Sequence, residues 1–189
     1  MRLALAAVLI CICAMPAIAQ QSIADQAQRA YDLFAGGLSQ QDYATARYGN
    51  AVLGNIAGKW VGLSGPAHGT GIETYGADTE RLCAGTGTFT LTAPDPFTLT
   101  LTARPAESEF RQTYTLIAGS SFAESTDAES YFEAIGIGLD KVGPQFDRQR
   151  ALALSLANGM VQIYRPSDDI LVIARDKVYP TILARCAAR

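Results

Sequence analysis

The sequence has one histidine, one tryptophan and only four cysteines among its 189 residues. Two of the cysteines lie in an N-terminal leader and the other two are predicted to form a disulfide, as argued below, so too few nitrogen and sulfur ligands are left for an ordinary transition-metal site. Basic residues are not in excess either, since the formal net charge is −3. Nucleic-acid-binding proteins present a basic surface, so this charge argues against a nucleic-acid partner. The glycine-rich loop GPAHGTG lacks both the GxGxxG pattern and a phosphate-binding lysine. We therefore predict no cofactor.

The long apolar run lies at the N-terminus, where residues 1–19 read MRLALAAVLICICAMPAIA. Arg2, an apolar stretch over 3–15 and the small-x-small sequence Ala17-Ile18-Ala19 are typical of a secretory signal peptide. A bilayer span needs about 20 apolar residues, more than this stretch has. We predict cleavage after Ala19 and a periplasmic or secreted protein with no membrane span.

Two of the four cysteines, Cys11 and Cys13, belong to this leader. Cys83 and Cys186 remain in the mature chain. Exported proteins usually join such a pair, because nothing in an oxidising compartment keeps the thiols reduced. We predict a disulfide, which in the chain-entropy model contributes roughly 4–5 kcal/mol for a loop of about 100 residues. Two free thiols are the alternative.

Residues 20–57 show helical periodicity and are predicted to form an N-terminal helical cap. Ser22 and Asp25 are typical of a helix start, and Gly36-Gly37 of a helix end. A second helix is predicted over 43–56. The pair also resembles one tetratricopeptide hairpin, but such units are stable only in stacks of about three.

Beyond residue 57 the apolar period changes from helical to two. In TGTFTLTAPDPFTLTLTAR (86–104), threonines alternate with apolar residues at odd-numbered positions. Alternate strand residues face opposite sides, so each half is a strand with one apolar and one threonine face. Odd residues must then pair with odd residues, which predicts a loop over 93–95 with Leu91 opposite Phe97. A threonine array is also typical of ice-binding surfaces, but two twisted strands are too few for that.

Further strands are predicted over 110–117, over 150–175 and over 179–184. The 150–175 segment is divided into three short strands by an Asn158-Gly159 hairpin turn and a turn at 166–169. A short helix is predicted over 127–135. Seven or eight sequential antiparallel strands favour a β-barrel or a barrel-like sandwich over 58–189, because closure removes open edges.

The single histidine, His68, is the one candidate for a catalytic base. A hydrolase would need a nucleophile such as Ser64 and an acid such as Asp78 beside it. No nucleophile-elbow pattern surrounds any serine, so we interpret His68 as an exposed loop residue. Two acids converging for glycoside cleavage stay an open alternative that nothing in the sequence selects.

A group of acids follows the fourth predicted strand but lacks the spacing and glycine of a calcium loop. We interpret them as a solvent-exposed helix face, and no metal site is predicted. They are Glu124, Asp127, Glu129 and Glu133.

Trp60 lies in Gly58-Lys59-Trp60, where the helical period gives way to the strand period. This tripeptide resembles the G-x-W that opens the first strand of lipocalins and related calycin barrels. The resemblance implies an eight-stranded barrel in which Trp60 closes one end and an arginine from a late strand, Arg175 or Arg185, packs on it. A disulfide that ties the C-terminal segment to the barrel is also common in that family. The later lipocalin signatures are missing, and a plain core aromatic is the alternative.

We therefore predict a non-enzymatic binding protein for a small apolar ligand or lipid, held inside the barrel. The alternative is a protein-binding inhibitor or an envelope accessory factor, with contacts from loops 64–78 or 119–130. The predicted ligand-binding residues are Trp60, Phe89, Leu91, Phe97, Leu99, Leu101 and Tyr114.

Overall fold

The computed structural model describes residues 22–35, 46–64, 79–104, 109–176 and 180–187. The predicted leader, His68 and Asp78 lie outside these residues, and so does the side chain of Ser64. The predictions made for them are therefore not tested.

The strands form one closed antiparallel barrel in chain order, in which the last strand pairs with the first. Trp60 pairs with Arg185 across this closing seam. The predicted β-barrel is thus confirmed. The strands are β1 (Gly58–Ser64), β2 (Thr88–Asp95), β3 (Thr98–Ala103), β4 (Phe110–Ala118), β5 (Ser121–Thr126), β6 (Gly159–Tyr164), β7 (Ile170–Arg175) and β8 (Thr181–Arg185).

Of the described helices, one precedes β1, one lies between β1 and β2, and two follow β5. They are α1 (Ile23–Ala35), α2 (Thr79–Ala84), α3 (Ala128–Ala134) and α4 (Pro144–Ala157), together with a 3₁₀ turn at Gly49–Val52. The last two helices connect β5 to β6. They mark what we call the helix end of the barrel, and the opposite end, where β1 begins, is the tryptophan end.

The N-terminal region differs from the predicted pair of helices. Residues 46–57 are described and contain an isolated bridge from Arg47 to Arg165 and the 3₁₀ turn. The second helix over 43–56 is therefore wrong there, and a helical cap over 20–57 is not confirmed. Ala27 and Ala30 of α1 are fully buried against the outer faces of β1, β7 and β8. This contact explains why residues 170–174 of β7 are apolar on both faces.

In the β2–β3 hairpin, odd-numbered residues pair with odd-numbered residues as predicted. Leu91 pairs with Leu101, and Phe89 pairs with Ala103. The predicted partner of Leu91 was wrong, because the strands continue to a two-residue turn at 96–97. A register shift between Thr92 and Asp95 makes this turn compatible with an apolar inner face.

A predicted strand over 150–157 is wrong, because these residues form the C-terminal half of α4. Asn158 ends that helix and is not part of a hairpin turn. The short helix over 127–135 is confirmed as α3. Asp127 caps it by accepting from the Ser130 amide at 2.9 Å. The Ser130 hydroxyl, which donates to the same carboxylate at 2.6 Å, and then this amide lower the pKa of Asp127.

Cys83 of α2 and Cys186, which follows β8, form the predicted disulfide across 103 residues of sequence. The bridge holds α2 on the outer surface of the barrel. Among the residues described, no helix is long and apolar enough to cross a bilayer.

Candidate functional site

The tryptophan end of the barrel is filled by apolar side chains. Trp60 is fully buried and donates its indole Nε1–H to the carbonyl of Ile56 at 3.0 Å. Val52 of the 3₁₀ turn and Leu53, which follows it, pack in the same cluster. Within the described ranges, these side chains fill the barrel at this end.

Two arginines bind the segment 52–57, which precedes β1, at the tryptophan end of the barrel. Arg165 is fully buried and donates to the carbonyls of Val52 at 3.1 Å and Asp168 at 3.0 Å. Burial, and then the charges of Arg47 and Arg185, lower the pKa of Arg165. The carbonyl partners compensate for burying this charge.

Arg185 is the second of these arginines. Its guanidinium carbon lies 4.6 Å from the centroid of the Trp60 ring, and the group donates to the Ala57 carbonyl at 3.0 Å. Of the two arginines left open by the sequence, Arg185 is therefore the one that packs on Trp60. Arg175 lies at the other end of the barrel.

Most of the predicted ligand-binding residues form the barrel core. Trp60, Leu91, Leu99 and Tyr114 have no exposed surface, Leu101 is buried, and Phe89 packs against the same cluster. Since water cannot touch these side chains, the centre of the barrel is filled. A ligand at these residues stays a prediction that would require them to move apart.

Phe97 was predicted to face inward with this set, and that orientation is wrong, because its side chain is 57% exposed. It lies in the β2–β3 turn, after the register shift that ends the alternation. Its amide donates to Asp95 Oδ1 at 2.8 Å.

A polar cluster lies inside the barrel toward the helix end. Glu124 on β5 has a side chain only 1% exposed, and it forms an ion pair with Arg175 on β7. Arg175 Nε donates to Glu124 Oε2 at 2.9 Å, and Nη2 donates to Oε1. The phenol of Tyr114 accepts from Nη2 at 3.4 Å and donates to Gln112 Oε1 at 3.0 Å. We call Tyr114, Glu124 and Arg175 the interior polar cluster.

The electrostatics of this cluster follow from burial and pairing. Burial, and next the charge of Glu124, raise the pKa of the Tyr114 phenol well above its ordinary value, so Tyr114 is neutral. Burial lowers the pKa of Arg175, but hydrogen bonds and charge from Glu124 and Tyr114 outweigh it, so the net shift is upward. A buried ion pair is costly unless its geometry is good, and this pair is joined by two hydrogen bonds.

Strand register explains how Arg175 reaches Glu124 across β6. Glu124 pairs with Gly159, and Arg175 pairs with Val161 two residues further on. Gly159 has no side chain, and a Cβ built there would meet nothing within 4 Å. A gap therefore remains open above Gly159, on the side of the strand that Glu124 faces.

A pocket of about 210 Å³ opens beside this gap. Both Glu124 and Arg175 line it, and the Arg175 side chain is 20% exposed. The pocket thus connects the interior polar cluster to the surface. Its other lining residues are Ser155, Leu156, Asn158, Gly159, Met160, Val161 and Asp176.

A larger pocket of about 430 Å³ lies on the outside of the barrel, between α1, α2 and the end of β8. It is lined by Ile23, Cys83 and Arg185 among others. The smaller pocket, unlike this one, reaches a polar cluster inside the barrel, so we take it as the candidate site. In the described part of the chain, no group of three or more His, Cys, Asp or Glu side chains could hold a metal ion.

The acids that were predicted to share one solvent-exposed helix face lie in different places in the structure. Glu129 and Glu133 are exposed on α3, as expected for a solvated helix face. Glu124 was wrongly included, because it lies on β5 and faces the interior. Fifty-one residues separate it from Arg175, so no local pattern could have linked them.

The chain matches no protein-family model, no curated protein and no solved structure. The class defined here is that of a closed eight-stranded antiparallel barrel with a polar cluster inside.

Proposed function

We propose that this protein is a non-enzymatic binding protein that takes a small apolar or amphiphilic ligand at the helix end of its barrel. The observation that carries this proposal is the pocket that reaches the ion pair of Glu124 and Arg175. The centre of the barrel is filled, so the ligand position moves from the predicted core residues to this pocket.

The composition of the pocket supports a ligand with both polar and apolar parts. Leu156, Met160 and Val161 provide apolar contact, and Glu124 and Arg175 provide hydrogen-bonding groups. Binding pockets commonly combine an apolar wall with a few fixed polar groups. Tyr114 and Arg175 are held in place by their own hydrogen bonds, so the polar groups are organised before a ligand arrives.

A lipocalin-like relationship is part of this proposal. It is supported by the stacking of Arg185 on Trp60 and by the closed end around Ile56. Export to the periplasm or to the medium is also proposed. The disulfide between Cys83 and Cys186 supports it, because such bonds persist in oxidising compartments.

Native mass spectrometry tests the binding function. The protein is purified gently from its own compartment, and its native mass is compared with the mass of the denatured chain. An extra mass of small-molecule size present only in the native sample supports the proposal and identifies the cargo. A bare chain, together with no uptake from a mixture of small amphiphiles, would contradict it.

A second candidate function is protein binding, as an inhibitor or an envelope accessory factor. Several large apolar side chains are exposed between the end of α3 and the start of β6. They are Ile135, Leu139, Val142, Leu152, Leu156 and Met160. The surface proposed for protein binding therefore differs from the loops predicted for it. Of those loops, 65–78 lies outside the described residues, and 119–130 is largely β5 and the start of α3. A stoichiometric protein complex that Val142→Gln and Leu152→Gln both weaken would favour this function.

A further inference from the structure

We infer that the pocket beside Glu124 and Arg175 selects a neutral, hydroxyl-bearing ligand and rejects anions. This inference rests on the proposed function and names the ligand class of the same site. It follows from the way in which the protein already uses the cation of the interior polar cluster, Arg175.

Arg175 is the group in the pocket that would attract a carboxylate or a phosphate. Its Nε–H and one Nη2–H already donate to the two oxygens of Glu124. An anionic ligand that left the pair intact would place a second negative charge beside the buried carboxylate of Glu124, and one that took over both hydrogen bonds would displace that carboxylate. The displaced carboxylate, 1% exposed, would then be buried without its cation, which is strongly unfavourable.

A cationic ligand meets the opposite difficulty. An ammonium group beside Glu124 would lie close to the Arg175 guanidinium, and the oxygens of Glu124 already accept from that group. Asp176 also lines the pocket, at its exposed side. Exposed charges interact weakly in water, so Asp176 adds little selection for a cation.

A hydroxyl group fits both members of the pair without separating them. It has one donor and two acceptor lone pairs, so it can donate to Glu124 and accept from Arg175 together. The pocket volume of about 210 Å³ leaves room for several water-sized groups. A neutral alcohol, or the hydroxyl end of a longer molecule, can therefore place its hydroxyl on the pair and its carbon against Leu156, Met160 and Val161.

Three probes of one chain length test the inference: 1-hexanol, hexanoate and hexylammonium. Each is titrated into the ¹⁵N-labelled full chain and followed by amide chemical shifts. In the wild type, 1-hexanol should bind about tenfold more tightly than either charged probe, because only it leaves the ion pair intact. In Glu124→Gln, Arg175 loses its carboxylate, so hexanoate should gain about tenfold and become the preferred probe. Glu129→Gln, on the exposed face of α3, is the matched control and should keep the wild-type order.

The outcomes distinguish a failure of this inference from a failure of the proposed function. Equal or tighter binding of hexanoate by the wild type overturns the inference, and so does a preference for hexylammonium. An unchanged order in a folded Glu124→Gln variant overturns it too. Failure of all three probes to bind the wild type contradicts the proposed function itself. If Glu124→Gln does not fold by circular dichroism, the wild-type order still decides, and Arg175→Gln should instead favour hexylammonium.

Discussion

The guanidinium carbon of Arg185 lies over the Trp60 ring, 4.6 Å from its centroid, while the same group donates to the carbonyl of Ala57. The two residues pair across the seam where β8 meets β1. Their contact therefore closes the barrel and fastens the segment that plugs its tryptophan end.

Arg185→Met tests the strength of this contact. The variant keeps a long apolar stem but loses the cation and its carbonyl partners. We expect the free energy of unfolding to fall by about 2 kcal/mol, the size of a cation–π contact plus charged hydrogen bonds. Urea unfolding measures the change. Arg111→Met, on the outer face of β4, should stay within about 0.5 kcal/mol, and equal losses in the two variants would contradict the account.

The disulfide between Cys83 and Cys186 should contribute strongly to stability. Replacing both cysteines by serine removes the constraint on the unfolded chain, and we expect a loss of about 2–4 kcal/mol in urea unfolding. The wild type should lose a similar amount in reductant and gain the mass of two hydrogens on reduction. The double variant should not respond to reductant, and a response there would show that the loss has another cause.

Tyr114 should make the protein sensitive to alkaline pH. Its pKa is raised in the folded state above the ordinary value of 10.0, so the folded state holds the phenol proton more tightly than the unfolded state. The associated stability is complete below pH 10 and falls as the pH rises above it. Unfolding free energies measured from about one pH unit below the ordinary tyrosine value to about two units above it should decline in the wild type. The decline should be smaller in Tyr114→Phe, and parallel curves would contradict the burial of a neutral phenol.

Phe97 and Leu99 should respond differently to truncation, although the sequence predicts the same face for both. Leu99 is fully buried and Phe97 is more than half exposed. Leu99→Ala should cost about 2–5 kcal/mol, as for other buried leucines. Phe97→Ser should change the free energy of unfolding by about 0.5 kcal/mol or less. A loss at Phe97 as large as that at Leu99 would place the turn residue in the core.

The alternation over 88–102 predicted the hairpin because the pleat of a strand makes the facing of side chains periodic. Periodicity carries no information about a register shift, and the shift between Thr92 and Asp95 moved Phe97 out of the core. The error is therefore confined to the turn, while Leu91, Leu99 and Leu101 lie where the pattern puts them.

The strand predicted for RALALSLA (150–157) was wrong for a different reason. Its leucines alternate as in a half-buried strand, but leucine and alanine both favour helices. Pro144 begins the helix and the Asn158 side chain ends it by donating to the Leu154 carbonyl at 3.1 Å. Leu152 and Leu156 remain exposed, so burial did not impose the helical period that normally identifies such a segment.

The interior polar cluster depends on contacts between residues far apart in sequence. Glu124 and Arg175 meet because β5, β6 and β7 are neighbours and because the register places the two residues on positions of β6 that are two residues apart. A single sequence shows each residue but not their register, so the barrel could be predicted and the site within it could not.

The central claim is that the pocket at the helix end holds a small ligand, and amide chemical-shift mapping with 1-hexanol tests it most directly. Shifts should concentrate at residues 155–161, at Glu124 and at Asp176. Ser155→Trp, which fills the pocket from α4, should abolish them, whereas Gln149→Trp, on the same helix but away from the pocket, should not. Shifts centred on Ile23, Cys83 and Ala187, or shifts that persist in Ser155→Trp, would contradict the claim.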